Sequence, residues 1–386
     1  ISSTSFTSPP SGTKTETNEE RSVAAKDNCL ELRGSSGQWV QDWQYANRSQ
    51  YRSHGSYGTD HLASQLFTPS KETPFRLSTS WRWQDDNCPV SEITNQGFCR
   101  VCEKLGVTRI LILGDSLNIQ FTMALKSLLG FSPKTKRGYG FNGQLRQTKI
   151  PCSFSNNGTK EIFHVTLMPY RRSPLTDFDY LKSEALNLTT PNSYRLFVQN
   201  NPNRTVILAN TGPWMHNKND YRRAFSNVVY WIESFPDIAK KKIYAFYRPS
   251  IPGHFQCSPP ILTEVDQKIN SSYIKNMTTE SPYQNYGEYR EYIHQIPLDQ
   301  YLEKKLNWLD FEDYNQYSYD VLQNRSREQQ EPKIHWLNIF NSSVLRKDGH
   351  ISSEDCLHYS YGGPVDWWVH FFYSMLGDLI ESPDIK

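Results

Sequence analysis

Residues 109–120, RILILGDSLNIQ, limit what this chain can fold into more than any other stretch. An unbroken apolar run closed by a glycine reads as a strand buried on both faces. The residues that follow, NIQFTMALKSLLG, place apolar side chains at helical spacing and close on Gly130, a helix stop. A buried strand passing into an amphipathic helix through Gly114-Asp115-Ser116 is a βα unit. Similar runs recur at RTVILANTG, KKIYAFYR and KIHWLNIF, with a mixed region containing EIFHVTLMPY before them. The segment DYRRAFSNVVYWIESFP predicts a helix from Asp220 to just before Pro236, and VDWWVHFFYSMLGDLIES predicts the last helix. Strands alternating with helices imply an α/β layered fold around a mainly parallel sheet, with any chemistry at the carboxyl ends of its strands.

The amino-terminal part reads differently. Residues 1–26 are rich in Ser, Thr, Pro and charge, without periodicity, and are expected to be a disordered stalk. Residues 27–100 carry many aromatics and cysteines but few clear elements, and are expected to be loops and short strands pinned by disulfides against a catalytic domain at 101–386.

With 386 residues the chain has room for one large domain or two ordinary ones, and a net charge of +2 does not suggest a dedicated nucleic-acid binder, so no nucleic-acid partner is expected. No run of about 18 apolar residues exists, so no membrane span is expected. Asn-x-Ser/Thr acceptors at Asn47, Asn157, Asn187, Asn203, Asn270, Asn276, Asn324 and Asn341 point to the secretory pathway. The seven cysteines agree with an oxidising compartment, and three bridges with one free thiol is the simplest arrangement. Because the first residue is Ile1, the chain is expected to be the luminal part of a longer protein whose signal or anchor is missing. The Cys99-x-x-Cys102 pair invites a zinc or redox reading, but no second pair supplies further ligands. Structural bridges are expected instead, and no metal.

Three segments carry candidate chemistry. Ser116 falls at a strand-to-helix turn, where unpaired backbone N–H groups stabilise developing negative charge. The alternative is that Ser116 or Asp115 merely caps the helix. Near the carboxyl end, Asp355 and His358 have the i, i+3 spacing that on a helical turn lets a carboxylate orient an imidazole. The alternative is a surface acid beside a buried histidine. Asn210 follows a buried strand, and there its amide serves either as an oxyanion donor or as a turn former.

Taken together, a Gly-Asp-Ser block, an Asn after a middle strand and a late Asp-x-x-His resemble the SGNH (GDSL-type) hydrolase superfamily. The segments SGQWVQD, WRWQDDNC, LILGDSLNIQ, ILANTGPW, FYRPSIPGHF, LNIFNSSVLRKDGH and DCLHYSYGGPVDWW resemble, in order, the trichome-birefringence-like polysaccharide O-acetyltransferases of the PC-esterase group. They run from about residue 29 to residue 368. The chain departs from the family pattern at Asn118-Ile119-Gln120, at Pro213-Trp214-Met215 and at Tyr359-Ser360.

The resemblance implies a three-layer SGNH-like fold, with Ser116 as nucleophile, His358 as base and Asp355 as its orienter. Asn210 and the Ser116 N–H form part of the oxyanion hole, and Gly138, Gly140 and Gly143 are alternatives for a further donor. Asp115 shapes the turn. Arg248 and His254, with Trp214, either line an acceptor cleft or hold a loop in place. Cys29 and Cys88 lie in Cys-bearing blocks and are expected to be oxidised, and Cys257 is expected to pair with Cys356; Cys152 completes the set. The expected activity is transfer of an acetyl group through acetyl-Ser116 to a hydroxyl of a polysaccharide or glycan, in the Golgi lumen or after secretion. It needs an acetyl donor but no bound cofactor. Water in place of the sugar makes the same site an esterase. A non-catalytic carbohydrate-binding protein is the reading from another class.

Overall fold

In the computed structural model the described residues are 29–34, 37–42, 44–45, 80–131, 147–156, 159–170, 194–212, 215, 217–251, 253–254, 310–330, 332–350 and 356–381. The expected stalk at 1–26 lies outside them.

Helix α1 (Cys29–Leu32) and strands β1 (Gln38–Gln41) and β2 (Trp81–Gln84) open the described chain. They are followed by α2 (Asn95–Leu105), β3 (Val107–Leu113), α3 (Ser116–Leu128), β4 (Thr148–Asn156), β5 (Thr159–Tyr170) and α4 (Tyr194–Gln199). Next come β6 (Arg204–Ala209), α5 (Lys218–Glu233), α6 (Asp237–Lys240) and β7 (Ile243–Tyr247). Helix α7 (Phe311–Arg327), β8 (Ile334–Trp336), α8 (Phe340–Val344) and α9 (Pro364–Glu381) complete the chain.

Six strands form one sheet in the order β4-β5-β3-β6-β7-β8. The pairings are parallel except at the edge, where β4 runs antiparallel to β5. The alternation of strand side chains shows helices on both faces. Phe246 packs against Phe372 of α9, while its neighbour Tyr247 packs against Phe225 of α5. The fold is therefore the expected three-layer α/β arrangement. Each strand run lies where its hydrophobicity places it, although KIHWLNIF yields only three strand residues before α8 begins at Phe340.

Register decides where chemistry can sit. Leu113 is level with Ala209, Ala209 with Tyr247, and Tyr247 with Trp336. The carboxyl ends of β3, β6, β7 and β8 thus form one rim, and Gly114, Asn210 and Arg248 are the first residues beyond it. From β3 the chain passes to β5 on one side and returns to β6 on the other, so the strand order reverses beside β3. A crevice at the carboxyl end is the geometric consequence.

The amino-terminal elements pack on α9. Trp39 sits edge-on to both Trp83 and Trp367, with ring centroids 5.4 and 6.0 Å apart. The largely buried Arg33 meets Asp378 at 2.7 Å. Two disulfides secure this region: Cys29–Cys88 between α1 and the turn after β2, and Cys99–Cys152 between α2 and β4. Cys102, also a disulfide candidate by sequence, is free and buried. One helical turn places Cys99 and Cys102 side by side, but Cys99 reaches across to the sheet edge, and burial pushes the Cys102 thiol pKa well up. Cys356 is disulfide-bonded to a partner outside the described residues, where Cys257 also lies. The bridges fit an oxidising, secretory or lumenal compartment. Among the described residues no helix is long and apolar enough to cross a membrane. The glycosylation acceptors Asn203, Asn324 and Asn341 are exposed; the other expected acceptors lie outside the described residues.

Candidate active site

The turn after β3 is built residue by residue. Gly114 has φ +146°, and a Cβ there would collide with the Asn210 side chain, so only glycine brings the two strand ends this close. Asp115 is extended and caps α3, its Oδ1 accepting from the Leu117 N–H at 2.8 Å. Ser116 is the first helical residue and is half-buried. Its Oγ therefore sits in the first turn, at the positive end of a thirteen-residue helix.

His358 comes to it from the far end of the chain. Its Nε2 lies 2.7 Å from Ser116 Oγ, across 242 residues of sequence. The histidine stands in a bend at 356–358 rather than on a helical turn. Asp355, its expected orienter, lies outside the described residues. The bend runs into a single bridge between Tyr359 and His350. His350 Nδ1 donates to the His358 carbonyl at 3.0 Å, and His350 Nε2 meets His254 Nδ1 at 2.7 Å. His254 Nε2 in turn donates to the Val344 carbonyl at 2.8 Å. Both rings spend an N–H on a carbonyl, so the contact between them holds only if the pair carries one further proton. Burial lowers the His254 pKa to about 4.

Beneath the serine lies a buried polar floor. Asn210 Nδ2 donates to Asp115 Oδ2 at 2.7 Å, and Asn210 Oδ1 accepts from the Asp115 N–H at 3.4 Å. Arg248 Nε donates to Asn118 Oδ1 at 2.7 Å, and an Arg248 terminal nitrogen approaches Asp115 Oδ1 at 3.6 Å. Burial lowers the Arg248 proton affinity and the Asp115 carboxylate opposes that effect. Arg248 and His254 are both 0% exposed. Asn210 is likewise 0% exposed, and one of its two amide N–H bonds is spent on Asp115.

Comparison with known proteins can now be set beside this geometry. Residues 194–375 match the PC-Esterase family, described as a GDSL/SGNH-like acyl-esterase family found in Pmr5 and Cas1p. Over its length the chain is also 23% identical to protein trichome birefringence-like 39 of Arabidopsis thaliana, covering 94% of this chain and 91% of that one. It is 22% identical to protein trichome birefringence-like 12 of the same plant, covering 80% and 77%. At these identities the chain is a divergent relative of both.

The PC-esterase match contains Asn210, Arg248, His254, His350 and His358 but not Ser116, which β3 and α3 bring to it from outside. The matched family is acyl-esterase-like, and the match leaves the direction of acyl transfer open. Gly138, Gly140, Gly143 and Trp214, expected near the site, lie outside the described residues. Sequence reasoning named Asn118 and Gln120 only as departures from the family pattern, with no role, and did not name His350. Asn118 donates to the Leu113 carbonyl at 2.6 Å while accepting from Arg248, so it joins β3 to the floor. The available signal was spacing: Gln120 is four residues from Ser116, on the same helical face.

Proposed function

We propose that the protein is an O-acetyltransferase that moves an acetyl group through acetyl-Ser116 to a hydroxyl of a polysaccharide or glycan. The observation that carries this reading is the 2.7 Å contact between Ser116 Oγ and His358 Nε2 at the start of α3. A serine within reach of an imidazole, at a helix N-terminus, is the arrangement of an activated nucleophile. The match of residues 194–375 to an acyl-esterase-like family and the similarity to trichome-birefringence-like proteins support the acyl chemistry and the glycan acceptor.

The steps follow from the residues. His358 Nε2 accepts the Ser116 proton as Oγ attacks the donor carbonyl. The Ser116 N–H and the remaining Asn210 N–H are assigned the oxyanion, the role expected of them. Collapse of the tetrahedral intermediate expels the donor's leaving group, which takes the proton from His358, and leaves acetyl-Ser116. The acceptor hydroxyl then gives its proton to His358, attacks the acyl carbon and departs as the ester, returning the proton to Ser116 Oγ. Asp355 is assigned the orienting of His358. When water replaces the sugar, the same steps release acetate.

The test is incubation with an activated acetyl ester, with and without a panel of oligosaccharides, followed by mass spectrometry beside Ser116→Ala. A sugar that gains one acetyl group only with the intact serine supports the transferase. Acetate alone, equally dependent on Ser116, makes the protein an esterase. Glycan binding unchanged in Ser116→Ala, with no Ser116-dependent turnover, makes it a carbohydrate-binding protein.

A further inference from the structure

We propose that Gln120 is a positioning residue, a clasp that docks the His358 loop onto the helix carrying Ser116. The inference rests on the Ser116–His358 reading above and names a part of that machinery that neither the sequence nor the family match singles out.

Gln120 makes two hydrogen bonds to a single residue, and that residue is the neighbour of the base. Its Nε2 donates to the Tyr359 carbonyl at 2.8 Å, and its Oε1 accepts from the Tyr359 N–H at 3.2 Å. One side-chain amide thus pairs with both backbone groups of one residue, as a neighbouring strand would. The pairing also fixes which amide atom is oxygen and which is nitrogen.

Placement gives the clasp its consequence. Ser116 and Gln120 are four residues apart on α3, one turn of the same face. The nucleophile and the group that grips the base loop therefore belong to one rigid body. His358 stands in a bend with no ladder of its own. Its peptide is held from the other side by the His350 donation to its carbonyl. Gln120 and His350 thus grip consecutive residues, one from the helix and one from the loop after α8. Displacing a reacting group by about 1 Å costs about 100-fold in rate, so the grip on this bend is worth a comparable factor.

The test uses the full chain with Gln120→Met, which keeps length and packing but makes neither bond, and Gln120→Asn, which keeps the amide but falls short. Each is treated with a fluorophosphonate serine reagent. The labelled fraction at end point counts competent sites, and the labelling rate reports Ser116 reactivity. Turnover of an activated acetyl ester gives kcat and KM. The expected result is a wild-type end point, a KM within about twofold, and labelling and kcat both lowered by about 10- to 100-fold in each variant. Exchange of the Tyr359 amide should quicken while that of β3 stays protected. Wild-type kcat in Gln120→Met overturns the proposal. So does a reduced end point with wild-type turnover per labelled site, since that is a folding role. If Gln120→Met does not fold, Gln120→Asn and its Tyr359 exchange decide by the same criteria. Absence of Ser116-dependent labelling in the wild type overturns the catalytic reading and the clasp with it, and that arm tells the two failures apart.

Discussion

Asn210 and Asp115 join the ends of two adjacent strands face to face: amide nitrogen to carboxylate oxygen at 2.7 Å, amide oxygen to backbone N–H at 3.4 Å. The pair fixes the turn that presents Ser116, and it tests whether Asn210 is structural, catalytic or both. In Asn210→Ala a buried carboxylate loses a donor, at a cost of about 1–3 kcal/mol in stability. Loss of an oxyanion donor lowers kcat by a further factor of about 100 to 1,000. Urea melts and steady-state kinetics on the folded fraction separate the two. A stability loss with kcat unchanged per folded molecule would leave Asn210 as a brace alone.

Arg248 is the buried cation under the same turn. Its guanidinium is fully buried, bonded to Asn118 and 3.6 Å from Asp115. Arg248→Met removes the charge that faces the buried Asp115, and breaking such a pair costs about 3–5 kcal/mol. Arg248→Lys should recover little, because an ammonium cannot reach Asn118, the Pro249 carbonyl and Asp115 together. Thermal denaturation of both variants measures this. Because Arg248 has no exposed surface, KM for a small acetyl ester should not change in whatever fraction folds.

The sheet and its chemistry were unequally legible in the sequence. β3, β6 and β7 announce themselves as apolar runs because both their faces are buried, and the glycine after β3 marks the turn. Helix α7 was not anticipated: FEDYNQYSYDVLQNRSR buries only a narrow stripe through Phe311, Tyr314, Ser318 and Leu322, too polar for its period to stand out. Helix α2 was hidden for another reason, lying in a region read as loops because of its cysteines. At the site, Ser116, Asn210 and His358 could be found as residue types in order. The contacts of Gln120 with Tyr359 and of His350 with His254 could not, since both join segments whose approach only the fold determines. For a related reason the sequence could not separate Cys99, which bridges to Cys152, from Cys102, which is free and buried.

The disulfides make a separate prediction. Cys29–Cys88 closes a separation of 59 residues and Cys99–Cys152 one of 53. Loops of that size give about 4 kcal/mol each in the chain-entropy account. Cys29→Ser with Cys88→Ser should therefore lower the melting temperature by several degrees. In the native protein Cys102 should resist alkylation, because burial holds its thiol protonated, and it should react once the chain is unfolded. Rapid labelling of Cys102 in the native state would contradict its burial under α2.

Together with His254, two further buried histidines set the acid limit of the fold. His370, on α9, accepts from the Ile93 N–H through Nδ1 at 3.1 Å, and its Nε2 faces the Tyr45 hydroxyl at 3.4 Å. His335, on β8, lies against Phe246. Burial lowers the pKa of each from 6.5 to about 3, and the nearby Lys333 adds to the shift at His335. Both are therefore neutral when folded and protonated more readily when unfolded. The unfolded state binds more protons between pH 6.5 and about 3, so stability rises with pH across that interval. The contribution is complete above 6.5 and is lost as the pH falls towards the folded value. Denaturant midpoints measured from pH 7.5 to 4 should decline most steeply below about 6.5. His370→Gln, which can still accept from Ile93, should flatten the slope while lowering stability at neutral pH. An unchanged slope in that variant would show that His370 is not the group being titrated.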